Sequence, residues 1–168
     1  MSTFKVNIIL FGIGNVGSTL INQVIESRNF FAEQREIELR FPIITNSTLA
    51  FFEKEGVQNN WETDFQQFAI PFQVSDIIKY VKKQELENLI FVDATANAEL
   101  IKSYPELIAN NFNIVAANKK ANTLDYAFYQ QLRTFLSVYD KTFLYETNVG
   151  AGLPVLQTVN DLHFAGEQ

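Results

Sequence analysis

The chain has 168 residues, of which 47% are hydrophobic and 19% are charged, and this size and composition are typical of one compact globular domain. Thirteen basic and nineteen acidic residues give a formal net charge of -6, so nucleic acid is not an expected partner. The absence of cysteine excludes disulfides, thiolate metal sites and cysteine nucleophiles. We find no pattern of a secretory leader or a membrane span, so we expect a soluble, cytoplasmic protein without a membrane partner.

Apolar runs of strand length alternate with amphipathic segments of helix length, which predicts parallel strands joined by crossover helices. The first strand is predicted at residues 5–11 and the first helix from residue 15 to about residue 28. A second strand is predicted at residues 36–45, although Pro42 has no amide proton and favours an edge, a bulge or an early strand end. Between residues 46 and 72 we expect helix and loop anchors at Phe51, Phe52, Trp61, Phe65 and Phe68.

The alternation of helices and strands continues after Pro71. The later elements are predicted as a helix around residues 74–81, a strand at 89–93, a helix at 98–110, a strand at 113–117, a helix at 126–138, a strand at 142–145 and a helix from about residue 154. Pro105 is expected to start a second helix within residues 98–110. Five to six strands with interleaved helices predict a Rossmann-type doubly wound α/β fold, with a mostly parallel sheet and helices on both faces, over residues 1–168.

A G-x-G-x-x-G pattern joins the first predicted strand to the first helix, where a dinucleotide fingerprint must lie. The first glycine permits a tight turn, the second lets a pyrophosphate approach the backbone, and the third lets the helix pack closely on the sheet. Free amides at the helix start then face the anion. We therefore predict NAD(P) binding, against a minor alternative of a glycine-rich turn without a ligand. The cofactor-binding residues predicted here are Gly12, Ile13, Gly14, Asn15, Val16 and Gly17.

The end of the second strand lacks the acidic residue that normally binds the adenosine ribose. Asn46 and Ser47 stand there instead, and we predict that they contact the cofactor. Their polar groups suit either form of the ribose, so the choice between NAD and NADP stays open. Asn46 is equally suited to a turn or to a helix N-cap.

Two further strand ends carry candidate site residues, because ligands of open α/β sheets gather outside the carboxyl ends of the strands. After Asp93, the small residues Thr95 and Ala96 would let the backbone approach a nicotinamide ribose, although a turn that only caps a helix is equally consistent. After the following strand, Asn118 and Lys119 could contact cofactor or substrate oxygens. Composition alone would favour solvated lysines in a loop.

The last candidate site is the loop at residues 145–154, which contains two glycines and the carboxylate of Glu146. Loop carbonyls and a carboxylate are ligands that suit a hard cation. A cluster of carbonyls without a metal is equally consistent with this pattern. His163, the one histidine, is predicted to be structural or solvated.

Taken together, these segments resemble homoserine dehydrogenase, most closely the form fused to aspartate kinase, from about residue 5 to the C-terminus. The stretches that carry the resemblance are residues 11–17, 93–95, 117–123 and 145–154. The resemblance implies hydride transfer between homoserine and aspartate 4-semialdehyde with NAD(P), on the route from aspartate to threonine and methionine. It also implies that Lys119 is catalytic and contacts both cofactor and substrate.

The same resemblance implies a monovalent cation such as sodium, held by Glu146 with the carbonyls of Val149, Ala151 and Leu153. Members of the family continue into a second, catalytic and dimer-forming domain that has no match here. We therefore expect residues 1–168 to be the cofactor domain, inactive alone, able to handle a small-molecule substrate only with that second domain, and prone to self-association. The alternatives are a non-enzymatic dinucleotide sensor and the cofactor domain of a different dehydrogenase.

Overall fold

A computed structural model describes residues 3–150 and 152–164 of the chain. Its seven strands are β1 (Phe4–Phe11), β2 (Ile37–Thr45), β3 (Leu49–Phe52), β4 (Ile70–Pro71), β5 (Leu89–Asp93), β6 (Phe112–Ala116) and β7 (Phe143–Leu144). They form one sheet in the order β4-β3-β2-β1-β5-β6-β7. The five strands from β2 to β7 in this order are parallel, whereas β3 and β4 extend one edge as antiparallel strands.

The helices cover both faces of this sheet. They are α1 (Asn15–Arg35), α2 (Trp61–Phe68), α3 (Val74–Lys83), α4 (Ala98–Ile101), α5 (Tyr104–Ala109), α6 (Tyr126–Val138) and α7 (Val155–Phe164), with short 3-10 helices at Lys119–Asn122 and Glu146–Asn148. On β1, Ile8 and Leu10 face the core shared with α1 and α2, while Ile9 and Phe11 face the core shared with α3 to α6. This alternation buries β1 on both faces and confirms the doubly wound α/β fold.

Pro42 lies inside β2 and not at an edge, because β2 pairs with β1 on one side and with β3 on the other. Asn7 pairs with Arg40 and Ile9 pairs with Ile43, so two residues of β2 stand opposite Ile8. Of the three alternatives for this proline, the bulge is therefore the one that the structure adopts.

The segment after β2 differs from the prediction. Phe51 and Phe52 lie in strand β3, not in a helix or loop, and β3 and β4 raise the strand count to seven. Trp61 and Phe65 are buried on α2 as predicted, whereas Phe68 is 60% exposed and anchors little. Strand β3 was not predicted because its formation depends on antiparallel pairing with β2. A run of four residues does not reveal such pairing.

Helix α1 is longer than predicted, and the segment at residues 98–110 is divided into two helices, as predicted. Helix α1 continues to Arg35 and ends at Glu36 in the left-handed conformation. The predicted break at Pro105 is confirmed, because α4 ends at Ile101 and α5 carries the proline in its first turn. Helix α7 has no fully buried residue: Val155 and Leu156 are half-buried, and the rest of its apolar stripe, Val159 and Leu162, is exposed. No helix in residues 3–150 or 152–164 is long and apolar enough to cross a membrane.

Candidate cofactor site

The candidate site lies at the carboxyl edge of the sheet, where backbone hydrogen bonds continue one residue beyond the strands. They run from Gly12 N to Thr45 O (2.9 Å), from Ala94 N to Phe11 O (2.8 Å) and from Ala117 N to Asp93 O (2.9 Å). The loops after β2, β1, β5 and β6 therefore leave the sheet side by side. This is the edge at which ligands of open α/β sheets bind.

The three glycines of the turn between β1 and α1 have three different environments. Gly12 has φ of +94°, and a Cβ there would lie 2.8 Å from the carbonyl oxygen of Ala94. A Cβ on Gly17 would overlap the carbonyl oxygen of Gly12, so the start of α1 packs directly on the turn. A Cβ on Gly14 would meet nothing within 4 Å. Gly12 and Gly17 are thus required by the fold, whereas Gly14 faces open space.

The N-terminus of α1 differs from those of the other described α-helices, because it has no carboxylate. Its N-cap is Gly14, no side chain caps it, and its first turn contains no acidic residue. The other six helices carry a carboxylate in the first turn or as a cap: Glu62 and Asp64 in α2, Asp76 in α3, Glu99 in α4, Glu106 in α5, Asp125 for α6 and Glu146 for α7. The positive end of the α1 dipole is therefore left without a charge of its own.

A cleft of about 600 Å³ opens beside this helix start. It brings together seven of the predicted cofactor-binding residues: Gly12, Ile13, Gly14, Asn46, Ser47, Thr95 and Ala96. Sequence reasoning missed the rest of its wall, which consists of Phe11 at the end of β1, Phe72, Gln73 and Val74 at the start of α3, and Asn97, Glu99, Leu100 and Ser103 around α4. Two of these residues could have been predicted from the sequence, since Phe11 directly precedes Gly12 and Asn97 directly follows Ala96.

Asn46 forms the turn between β2 and β3 and is not a helix N-cap. Its Oδ1 accepts hydrogen bonds from the backbone N–H groups of Thr48 (2.9 Å) and Leu49 (2.7 Å). Its amide oxygen is therefore occupied, and its Nδ2 remains as a donor. With Ser47 beside it, this strand end offers hydroxyl and amide groups and no carboxylate.

Asp93 holds the Thr95 loop, and a different residue caps the helix that follows. Asp93 Oδ1 accepts hydrogen bonds from Thr95 N (2.8 Å) and Thr95 Oγ1 (2.7 Å). Asn97 caps α4, because its Oδ1 accepts from Glu99 N at 2.8 Å. The helix cap is therefore Asn97, whereas Thr95 lines the cleft.

Asn118 and Lys119 are adjacent in sequence but differ in burial. Asn118 is 2% exposed, and its Oδ1 accepts from Lys120 N (3.1 Å) at the start of the 3-10 helix. Lys119 is exposed and does not line the cleft. Asn118 is thus a buried residue that supports the loop next to the site, whereas the side chain of Lys119 is open to solvent.

Asn15 and Val16 also lie outside the cleft. Their side chains line a second, apolar groove with Val92, Val115 and Thr147, while their backbone belongs to the first turn of α1. If they contact an anion at this helix start, they do so through the backbone.

The loop predicted to hold a cation contains a helix cap. The Glu146 carboxylate accepts hydrogen bonds from Leu156 N (2.9 Å) and Gln157 N (3.1 Å) at the start of α7. The carbonyl of Leu153 accepts from Val155 N (2.8 Å), and Ala151 lies outside the described residues. Within the described ranges, no three acidic, histidine or cysteine side chains cluster as metal ligands. Two of the described candidate ligands, the Glu146 carboxylate and the Leu153 carbonyl, thus already accept hydrogen bonds within the protein, and the cation stays a prediction.

Comparison with known proteins identifies the family. A family model described as "Homoserine dehydrogenase, NAD binding domain" matches residues 12–146. The chain belongs to this family. It is 36% identical over 163 residues to the bifunctional aspartokinase/homoserine dehydrogenase of Buchnera aphidicola subsp. Acyrthosiphon pisum, covering 96% of this chain and 20% of that protein. The corresponding protein of Haemophilus influenzae is 33% identical, with 97% and 20% covered. The predicted family and its similarity to the fused form are confirmed.

Solved homoserine dehydrogenases share the fold of this NAD-binding domain. The enzyme of Thermoplasma acidophilum aligns with a TM-score of 0.72 at 17% identity, covering 93% of this chain and 47% of that one. A hyperthermophilic archaeal homoserine dehydrogenase in complex with NADPH aligns with a TM-score of 0.71 at 21% identity, covering 93% and 48%. The chain thus spans about a fifth of the first curated relatives and less than half of these solved chains.

Proposed function

We propose that the cleft binds NAD(P) with the pyrophosphate at the N-terminus of α1. The observation that carries this proposal is the missing carboxylate at that helix start, next to the open space at Gly14. The unpaired N–H groups and the helix dipole favour a diphosphate there. A side chain in place of the Gly14 hydrogen would occupy the same space.

The order of the strands sets the direction of the bound cofactor. The turn after β1 is central, with the end of β2 on one side and the ends of β5 and β6 on the other. We place the adenosine ribose at Asn46 and Ser47, and the nicotinamide ribose at Thr95 and Ala96, next to the loop of Asn118 and Lys119. This direction agrees with the general rule for dinucleotides at such a switch point.

The polar groups at the end of β2 support acceptance of a 2′-phosphate. The Asn46 amide oxygen is used within its own turn, so its Nδ2 and the Ser47 hydroxyl are available to donate to the ligand. The end of β2 contributes no carboxylate to the cleft that would repel a phosphate, and the acidic residue in the cleft lining, Glu99, belongs to α4. We propose that NADP(H) binds at least as tightly as NAD(H).

For the whole protein we propose the reaction of the family, the interconversion of homoserine and aspartate 4-semialdehyde, with Lys119 as the catalytic residue of this domain. NAD(P) supplies the hydride chemistry when it is bound. Lys119 is exposed, and so are Thr147 and Val149, which flank the Asn148 side chain that donates to the carbonyl of Asn118 (3.4 Å). The described residues therefore do not enclose a substrate. We therefore propose that residues 1–168 alone do not turn over homoserine. Family analogy also suggests a monovalent cation near Glu146.

Calorimetric titration of the 168-residue chain with NAD, NADH, NADP and NADPH tests the proposed function. We expect saturable binding of at least the NADP forms, and no oxidation of homoserine by the same preparation. A folded chain that binds none of the four dinucleotides would contradict the cofactor site. Rapid turnover of homoserine would contradict the proposal that a second domain is needed.

The exposed apolar residues of α7, among them Val159 and Leu162, support the expectation of self-association. Sedimentation over a wide concentration range tests it. A strictly monomeric species throughout would contradict it.

A further inference from the structure

Asp93, the last residue of β5, is a carboxylate with no exposed surface. Its two oxygens accept four hydrogen bonds: from Thr95 N (2.8 Å), Thr95 Oγ1 (2.7 Å), Tyr104 Oη (2.6 Å) and Asn118 Nδ2 (3.0 Å). Within the described residues, no lysine or arginine lies at ion-pair distance from it. A buried carboxylate is tolerated only when it is fully hydrogen-bonded, so these four donors are what keep Asp93 in place.

The four bonds join three separate segments of the chain. Thr95 belongs to the loop after β5 that lines the cleft, Tyr104 belongs to α5, and Asn118 ends the segment after β6. Asn118 also donates to the carbonyl of Asn97 at 3.0 Å, which ties the two loops together a second time. One carboxylate thus fixes the relative position of the two loops that lie beside the nicotinamide end.

Tyr104 supplies a rigid base for this arrangement. It is fully buried, with its ring edge-on to Phe91 and to Phe143. Burial and the neighbouring Asp93 raise the pKa of the Tyr104 phenol above its usual value, so the phenol stays protonated and donates to Asp93. The buried Tyr104 phenol therefore anchors the Asp93 carboxylate, and this carboxylate in turn holds the Thr95 and Asn118 loops.

We propose that Asp93 is a positioning residue that sets the affinity for the nicotinamide half of the dinucleotide by holding the Thr95 and Asn118 loops in one geometry. The inference rests on the proposed function, which places that half of the cofactor beside these loops. The adenine half, at the end of β2 two strands away, does not depend on Asp93.

Asp93→Asn is a selective way to break this link. The new amide group keeps one oxygen for Thr95 but turns an N–H group toward Asn118, whose Nδ2 is also a donor. The Tyr104 hydroxyl can rotate to accept a hydrogen bond, whereas the Asn118 amide can do so only by flipping and losing its bond from Lys120 N. The variant therefore loosens the Asn118 loop with little change in side-chain volume. Tyr104→Phe is the matched control, because it removes one bond to Asp93 and leaves the three bonds from the Thr95 and Asn118 loops.

The experiment compares the affinity of the 168-residue chain for NADPH with its affinity for 2′,5′-ADP, which contains only the adenine half. Asp93→Asn is expected to weaken NADPH binding about tenfold, the loss of roughly one hydrogen bond to a charged group, while 2′,5′-ADP binding changes less than twofold. Tyr104→Phe is expected to change NADPH binding less than Asp93→Asn does. If Asp93→Asn does not fold, Asn118→Ala removes the same link and must show the same difference between the two ligands.

Equal losses for NADPH and 2′,5′-ADP would mean that Asp93 only stabilises the fold, and unchanged binding of both would mean that the loops do not depend on it. Either result overturns the proposal while leaving the cofactor site intact. If the wild-type chain binds neither ligand, the proposed function itself is wrong.

Discussion

The first and last of the described helices begin in opposite ways. Helix α7 has the carboxylate of Glu146 on its first N–H groups, whereas α1 has only glycine at its cap and no acid in its first turn. A carboxylate at a helix start stabilises it by about 0.3–1 kcal/mol, so α1 lacks a stabilisation that the other described α-helices have. This difference supports our proposal that the positive end of α1 is kept for a ligand, whereas the N–H groups at the start of α7 already bind a carboxylate of the protein itself.

The largest effect is expected from Gly17→Ala, which tests whether α1 must start against the turn. The new Cβ would overlap the carbonyl oxygen of Gly12, and backbone cannot give way cheaply. We expect a loss of about 3 kcal/mol in the free energy of unfolding, at the upper end of overpacking effects, measured by urea denaturation. The matched control is Gly152→Ala, whose Cβ meets nothing within 4 Å. Equal stability of the two variants would contradict the close packing.

Gly14→Val separates binding from folding in the same motif. The added side chain enters open space and Gly14 has an extended backbone with φ of −72°, so we expect stability to fall by about 1 kcal/mol or less, as for an unfavourable N-cap. The affinity for NADP(H), measured by calorimetry, is expected to fall at least about thirtyfold, roughly 2 kcal/mol. An unchanged dissociation constant would show that the pyrophosphate does not lie at this turn.

Val16→Asp places a carboxylate in the first turn of α1, so that its N-terminus resembles those of the other described α-helices. Val16 is 59% exposed in the first turn of α1, so a carboxylate there would remain hydrated and near the helix start. We expect the domain to gain about 0.5 kcal/mol in stability from the helix dipole. Dinucleotide affinity is expected to fall about fivefold, less at high salt because exposed charges are screened. The neutral variant Val16→Asn is the control, and tighter binding by Val16→Asp than by Val16→Asn would contradict the account.

How far the sequence predicts this site depends on whether the signal is local. The glycine turn was predictable because each glycine has a local reason, and β1 was predictable from its nearly continuous apolar run. The wall formed by Phe72 and Val74 was not, since it depends on how α3 packs on the sheet. A carboxylate such as Glu146 can ligate a cation or cap a helix, and its sequence context does not distinguish the two.

The smallest effect on dinucleotide affinity is expected from Glu146→Ala, which removes the cap of α7. We expect a loss of about 1 kcal/mol, seen as faster hydrogen exchange of the α7 amides. Dinucleotide affinity should not change, because Glu146 does not line the cleft. Glu62→Ala, in the first turn of α2, is the control for removing a carboxylate elsewhere. A large drop in cofactor affinity would show that the two helix starts are coupled.

Amide chemical-shift mapping of the 15N-labelled chain during titration with NADP+ tests the central claim most directly. The account predicts the largest shifts at the amides of residues 12–17, with smaller ones at Asn46, Ser47, Thr95 and Ala96, and little change in the first turn of α7. Shifts concentrated at another edge of the sheet, with the amides of residues 12–17 unmoved at saturation, would contradict the assignment of the α1 N-terminus as the pyrophosphate site.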